Sequence, residues 1–204
     1  IGLRNLDITL GLSDRALMDF SDVALGRCPL ARGAVDHPDV KGLSLLTAPM
    51  SLSPSLTIDK VRAMLDTARG QYDYILIDSP AGLGAGFRLA ICGADRALVI
   101  ATNDASSLRD AQRTVCELES IRQVHLIMNR IQPKLLRKLR ATIDDAMNTA
   151  GLPLIGVVPE DDQVMLAANL GQPLTAQGRR GAALACWNIA LRLDGNQVPI
   201  MRIR

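Results

Sequence analysis

Short apolar runs punctuate the chain at Leu43–Leu46, Tyr74–Ile77, Ala97–Ala101, Val124–Met128 and Leu154–Val158. Each is too short for a helix and lacks the alternation of a half-exposed strand. Continuous apolar character is what a parallel strand covered on both faces requires. Between these runs the apolar spacing changes to that of a helix. Ile58, Val61, Leu65 and Ala68 form one such period, and Leu108, Ala111, Val115 and Leu118 a second. Leu136, Leu139, Ile143 and Met147 form a third, and Ala182, Ala185 and Ile189 a last one. Ser107 followed by Asp110 reads as a capping box for the second period. Pro49 to Pro54 reads as a loop and the chain from Gly195 onward as an irregular tail.

Strands alternating with helices predict βαβ units, hence an α/β fold with a mostly parallel, doubly wound sheet flanked by helices. No repeat, low-complexity stretch or linker interrupts residues 1–204, so a single domain is expected. The apolar fraction of 48% excludes a disordered chain. A net charge of +2 and an aromatic content of 2% argue against a nucleic-acid partner, by field and by stacking alike. Cys28, Cys92, Cys116 and Cys186 lie far apart without a C-x-x-C pair, which speaks against structural zinc and for small buried side chains in a reducing cytosol. No apolar run is long enough to span a bilayer.

In a doubly wound sheet, ligands bind at the carboxyl ends of the strands, so the residues just after each run carry the chemistry. Tyr74–Ile77 is followed by Asp78, Ser79, Pro80 and Gly82. An acid there suits a nucleotide-bound magnesium, and it equally suits a cap for the next turn. Gly82, Gly84 and Gly86 read as a loop that does not fit G-x-G-x-x-G, because Phe87 occupies the last position. Asn129, with Arg130, follows Val124–Met128; its amide can pair with a purine edge or form a turn. Pro159, Glu160 and Asp161 follow Leu154–Val158 and can line a base or begin a helix. Arg109 and Arg113 share a helix face beside Asp110, as a solvated face or a partner surface. The basic stretch Pro133–Arg140 reads as a surface helix, or as a contact for anionic lipid or an acidic partner.

The order of these segments is more specific than any one of them. Ile1-Gly2-Leu3-Arg4-Asn5-Leu6-Asp7, Ser79-Pro80-Ala81-Gly82, Ser107–Arg113, Asn129-Arg130, Val158–Asp161 and Ala168–Pro173 together resemble the MinD septum-site-determining ATPases, deviant P-loop ATPases of the ParA/MinD group. The resemblance covers nearly the whole chain. It implies ATP and Mg²⁺ as cofactors, with Arg4 and Asn5 beside the γ-phosphate and Asp78 as the catalytic acid that serves the metal. It implies that Ser79 to Gly82 senses the γ-phosphate, that Asn129 with Arg130 reads adenine, and that Pro159 to Asp161 lines base and ribose. Arg109, Asp110 and Arg113 would face a dimer mate or partner. It further implies an ATP-bound homodimer, division-inhibitor and topological-regulator partners, and a cytoplasmic protein peripheral on an anionic membrane surface.

The departures are equally specific. No Lys-Gly-Gly-x-Gly-Lys-Thr segment occurs among the 204 residues, so the expected fold is a ParA/MinD-type P-loop NTPase lacking its first strand, P-loop and second strand. These residues alone are expected to be catalytically inactive and marginally stable, since a truncated sheet leaves backbone groups unpaired. Leu83-Gly84-Ala85 stands where the family carries an acidic residue, and the closing Ile200–Arg204 is too short for an amphipathic anchor. Two other readings compete: a non-catalytic interaction module, and a ParA-type partition ATPase, which predicts salt-dependent DNA binding.

Overall fold

The computed structural model describes residues 5–13 and 15–201. Contacts divide the chain into two compact units, residues 1–94 with 168–173 and residues 95–167 with 174–204.

Among the described residues the first unit carries five helices, α1 (Leu6–Thr9), α2 (Phe20–Ala24), α3 (Leu30–Gly33), α4 (Ile58–Arg69) and α5 (Ala85–Ile91), and two short strands, β1 (Val35–Asp36) and β2 (Ser44–Leu45). Helix α4 follows its predicted period. Thr57 caps it by accepting a hydrogen bond from the Lys60 amide, and Val61, Leu65 and Ala68 are buried on one face. Val61 and Leu65 join Leu56 and Leu89 in a core that Phe20, Leu25 and Met64 enlarge. The segment Leu43–Leu46 departs from expectation. It supplies only β2, which pairs antiparallel with β1 instead of joining a parallel sheet. Local hydrogen bonds explain this: His37 Nδ1 accepts from the Asp39 and Val40 amides, and Gly42 turns the chain back with a φ of 82°. A chain reversed so tightly pairs with its own neighbour.

The larger departure is Tyr74–Ile77. This run takes no place in either sheet, and Leu76 is 87% exposed. A continuously apolar strand is stable only between two neighbours and under cover. Among the described residues no strand pairs with this one. The expected glycine loop beyond it is also shorter than predicted: Gly84 is the N-cap of α5, so Gly86 and Phe87 are helical and Phe87 is buried.

The second unit holds the predicted sheet. Strands β3 (Arg96–Ala101), β4 (Gln123–Ile131) and β5 (Leu154–Pro159) lie parallel in that order. Among the described residues five α-helices accompany them: α6 (Ala105–Glu117), α7 (Pro133–Leu139), α8 (Ile143–Ala150), α9 (Asp162–Asn169, whose last two residues count with the first unit) and α10 (Gly181–Leu193). Helix α10 packs on β5, where Ala182, Ala185 and Ile189 meet Ile127, Ile155 and Val158. Strand alternation turns the fully buried Leu126 and Met128 the other way. Helices α6 and α8 pack on each other and on β3 and β4.

Three local expectations are corrected here. The Leu136–Met147 period is not one helix. Arg140 closes α7 in the left-handed region with a φ of 51°, and Thr142 opens α8 with a reciprocal capping box to Asp145. The cap of α6 is Asp104 rather than the Ser107–Asp110 pair. Of the cysteines Cys28 is buried and Cys92 partly so; Cys116 and Cys186 are exposed.

Hydrogen bonds from Ser106, Thr102 and the Ser107 amide lower the Asp104 carboxyl to about 2. A folded value below the unfolded one means that the carboxylate stabilises the fold above the ordinary aspartate value. That contribution is lost as pH falls through about 2. Denaturant melts at pH 6 and pH 2 should therefore show a smaller acid-induced loss for Asp104→Asn than for the parent. Equal losses would remove Asp104 from the acid response.

Candidate functional site

In the second unit the expected site residues gather at the carboxyl ends of β4 and β5. Ile131 stands opposite Pro159, and the Glu160 amide donates to the Ile131 carbonyl at 3.2 Å. The register slips between Met128 and Ile131, and Arg130 takes a left-handed φ of 54°. This irregularity turns the strand end: Asn129 Oδ1 accepts from the Arg130 amide at 3.0 Å. The carbonyl side of the Asn129 amide is thus engaged by its own neighbour at the irregular end of the strand. Its amino group is the half that can face a purine acceptor.

Arg130 Nη2 meets Glu160 Oε1 at 3.0 Å, and Gln132 Nε2 donates to Glu160 Oε2. These two bonds, Arg130 first, hold the Glu160 carboxyl below its usual range. The pair is well exposed and so contributes little to stability. Its consequence is geometric, since it ties the ends of neighbouring strands into one rim. Gln132 gave no sequence signal, because its partner lies far along the chain.

Asp161 is committed elsewhere. Its Oδ1 accepts from the Gln163 amide at 3.0 Å and its Oδ2 from the Ala182 amide at 2.9 Å. One carboxylate therefore serves the first turns of α9 and α10. Gly181 follows from this, because a Cβ there would lie 2.0 Å from Asp161 Oδ2. The helix-start reading of Asp161 is the one the structure realises.

On α6, Arg109, Asp110 and Arg113 are all exposed while Ala111 is buried on the inner side. Asp110 caps nothing; its carbonyl accepts from Thr114 Oγ1. An open cavity of about 620 Å³ in the same unit lies toward the other ends of β4 and β5. His125, Ile155, Arg192 and Val198 line it, and it includes none of the expected site residues.

In the first unit, Arg4 lies outside the described residues. Asn5 is the N-cap of α1, and its exposed side chain makes no capping bond. Beyond α1, Gly11 and Gly171 press their backbones together, both left-handed; a Cβ on Gly11 would stand 2.7 Å from the Gly171 carbonyl oxygen. Asp78 and Ser79 are exposed, with Ser79 Oγ donating to the Pro80 carbonyl at 3.3 Å. Gly82 is left-handed, with a φ of 84°. An exposed carboxylate is a hard oxygen donor and fits magnesium. The amino group of Asn129 is a hydrogen-bond donor of the kind that fits a purine acceptor.

No protein-family model matches the chain. It is 38% identical to the septum site-determining protein MinD of Helicobacter pylori, over all of this chain and 80% of that protein. Among solved structures it is similar to the MinC:MinD cell division protein complex of Aquifex aeolicus, with a TM-score of 0.90 and 35% identity, covering 99% of this chain and 83% of that one. The septum site-determining protein MinD of Pyrococcus horikoshii, complexed with Mg-ADP, has the same fold. There the TM-score is 0.81 at 23% identity, over 95% of this chain and 79% of that one.

Proposed function

This chain belongs to the MinD family of septum site-determining ATPases, and from that premise we propose that its full-length protein is an ATP-driven switch in septum-site selection. The observation that carries the reading is the shared rim of β4 and β5, where Asn129 and Pro159–Glu160 stand on adjacent strand ends. Asn129 binds the purine through its amino group, and Pro159 and Glu160 border the base. Asp78 holds magnesium, and Ser79 to Gly82 follows the γ-phosphate. Arg4 and Asn5 orient the attacking water. Bound Mg²⁺ neutralises charge developing on the transferred phosphoryl group.

ATP orders these loops and closes a homodimer, and hydrolysis releases it. Arg109, Asp110 and Arg113 form the partner face. The Aquifex neighbour, solved as a MinC:MinD complex, supports a division inhibitor as that partner. The dimer associates peripherally with an anionic membrane surface; no helix among the described residues is long and apolar enough to cross one. Purified full-length protein should release phosphate only when Mg²⁺ is present and should shift from monomer to dimer with ATP but not ADP. Light scattering and phosphate release check both, and loss of both results would overturn the switch.

A further inference from the structure

From Ser120 to Ile143 the chain holds no acidic residue and six cations: Arg122, Arg130, Lys134, Arg137, Lys138 and Arg140. Arg130 is neutralised by Glu160. Lys134, Arg137, Lys138 and Arg140 are exposed and form no ion pair among the described residues. Four uncompensated cations therefore sit on and just after α7.

The helix itself is unusual in what it leaves uncovered. None of its residues is buried, and Leu135 and Leu139 are 46% and 55% exposed. They are one turn apart and so share a face. At about 100° per residue, Arg137, Lys134 and Lys138 occupy one continuous arc, and Leu135 and Leu139 the arc directly beside Lys138. Leu136, half-buried, lies beyond them on the inner side. The left-handed Arg140 ends the helix there, with the Ala141 amide closing onto the Leu136 carbonyl at 3.2 Å. The leucines are thus held outward by a finished helix rather than drawn into the core by a continuing one.

A polyanion such as duplex DNA, or an acidic protein tail, would engage the cations and leave the leucines in water. A lipid surface engages both, since interfacial helices set an apolar stripe into the headgroup boundary beneath a row of cations. We propose that α7 is a contact of this domain with an anionic bilayer. Leu135 and Leu139 enter the headgroup boundary, and Lys134, Arg137, Lys138 and Arg140 meet lipid phosphates. The inference rests on the peripheral membrane association proposed above and names a surface for it on the nucleotide-binding domain itself. A helix this short holds a membrane weakly, so it adds to any other attachment rather than replacing it.

Full-length protein is mixed with vesicles of phosphatidylcholine, alone or blended with phosphatidylglycerol, with ATP present, and sedimented. The parent should bind only the blended vesicles, and less as salt rises. A combined Lys134→Glu, Arg137→Glu, Lys138→Glu variant should bind them at least about tenfold more weakly. A Leu135→Ser, Leu139→Ser variant should lose roughly fivefold, with both variants keeping the parent's ATP turnover in the absence of vesicles. If the parent binds blended vesicles and both variants match it, the assignment of α7 is wrong while membrane association stands. If only the charge variant loses binding and duplex DNA competes fully for the parent, the surface is a general polyanion site and the lipid assignment fails. If the parent binds no vesicles, membrane association itself falls and takes this inference with it.

Discussion

Asp78→Ala in the full-length protein should lower Mg²⁺-dependent ATP turnover by at least about a hundredfold, the scale on which a single charge-stabilising contact is lost from an active site. The carboxylate is the hard oxygen donor proposed for the metal, and alanine offers magnesium nothing. Stability gives the control. Asp78 is exposed, so its truncation should change folding by no more than about 0.5 kcal/mol. Melting temperature should stay while turnover goes. Asp78→Asn refines the test: the amide keeps the shape and one oxygen but not the charge, so activity should remain strongly depressed and respond to raised Mg²⁺. Turnover within threefold of the parent in both variants would remove Asp78 from the metal. A matching fall in melting temperature would mean instead that its role is structural.

The second unit was largely legible from the sequence because its information is local. Continuous apolar runs at Ala97–Ala101, Val124–Met128 and Leu154–Val158 specify parallel strands, and each became one, although β3 is covered on one face only, with Ile100 61% exposed. Helices α4 and α10 formed where their apolar periods place them for the same reason, α4 with a Thr57 cap and α10 without a side-chain cap of its own. The failures trace to forces that do not act locally. Tyr74–Ile77 has the composition of a central strand, but pairing requires neighbours that composition does not supply, and here Leu76 faces solvent. The break between α7 and α8 comes from the left-handed Arg140 and the Thr142 capping box, which compete with an apolar period that would otherwise continue.

The candidate site was legible as residue types at strand ends and illegible as bonds. Asn129 and Glu160 were identified by position, yet the link through Arg130 and Gln132 depends on a register slip that no pattern announces. Asp161 shows the converse. An acid at that strand end reads equally as a base-lining residue or as a helix start, and its bonds to the Gln163 and Ala182 amides, the second far along the chain, could not be read from the pattern.

Gly156 illustrates how a residue outside any site can control the same sheet. It lies buried in β5, and a Cβ there would stand 2.2 Å from Ile189 Cγ1 and 2.5 Å from Ile189 Cδ1. Its φ is not in the left-handed region, so glycine is required here for space and not for conformation. Gly156→Ala restricts the unfolded chain, which alone favours folding by about 0.4–1 kcal/mol. The collision opposes this. Ile189 is buried among Ile127, Ile155, Ala182 and Ala185 and cannot swing away without disturbing them. Overpacking of that kind costs about 1–3 kcal/mol, so the net change should be destabilising for alanine and larger for Gly156→Val. At this chain length each kcal/mol corresponds to roughly 2–4 °C, so valine should lower the melting temperature by about 5 °C or more. A double-mutant cycle identifies the cause. Ile189→Ala leaves a hole costing about 2–4 kcal/mol, and the Gly156→Ala methyl should partly fill it. The pair should then be less destabilised than the sum of the two single changes. Simple additivity would mean that helix α10 yields to the new methyl and that the tight crossing of α10 over β5 is not what demands glycine.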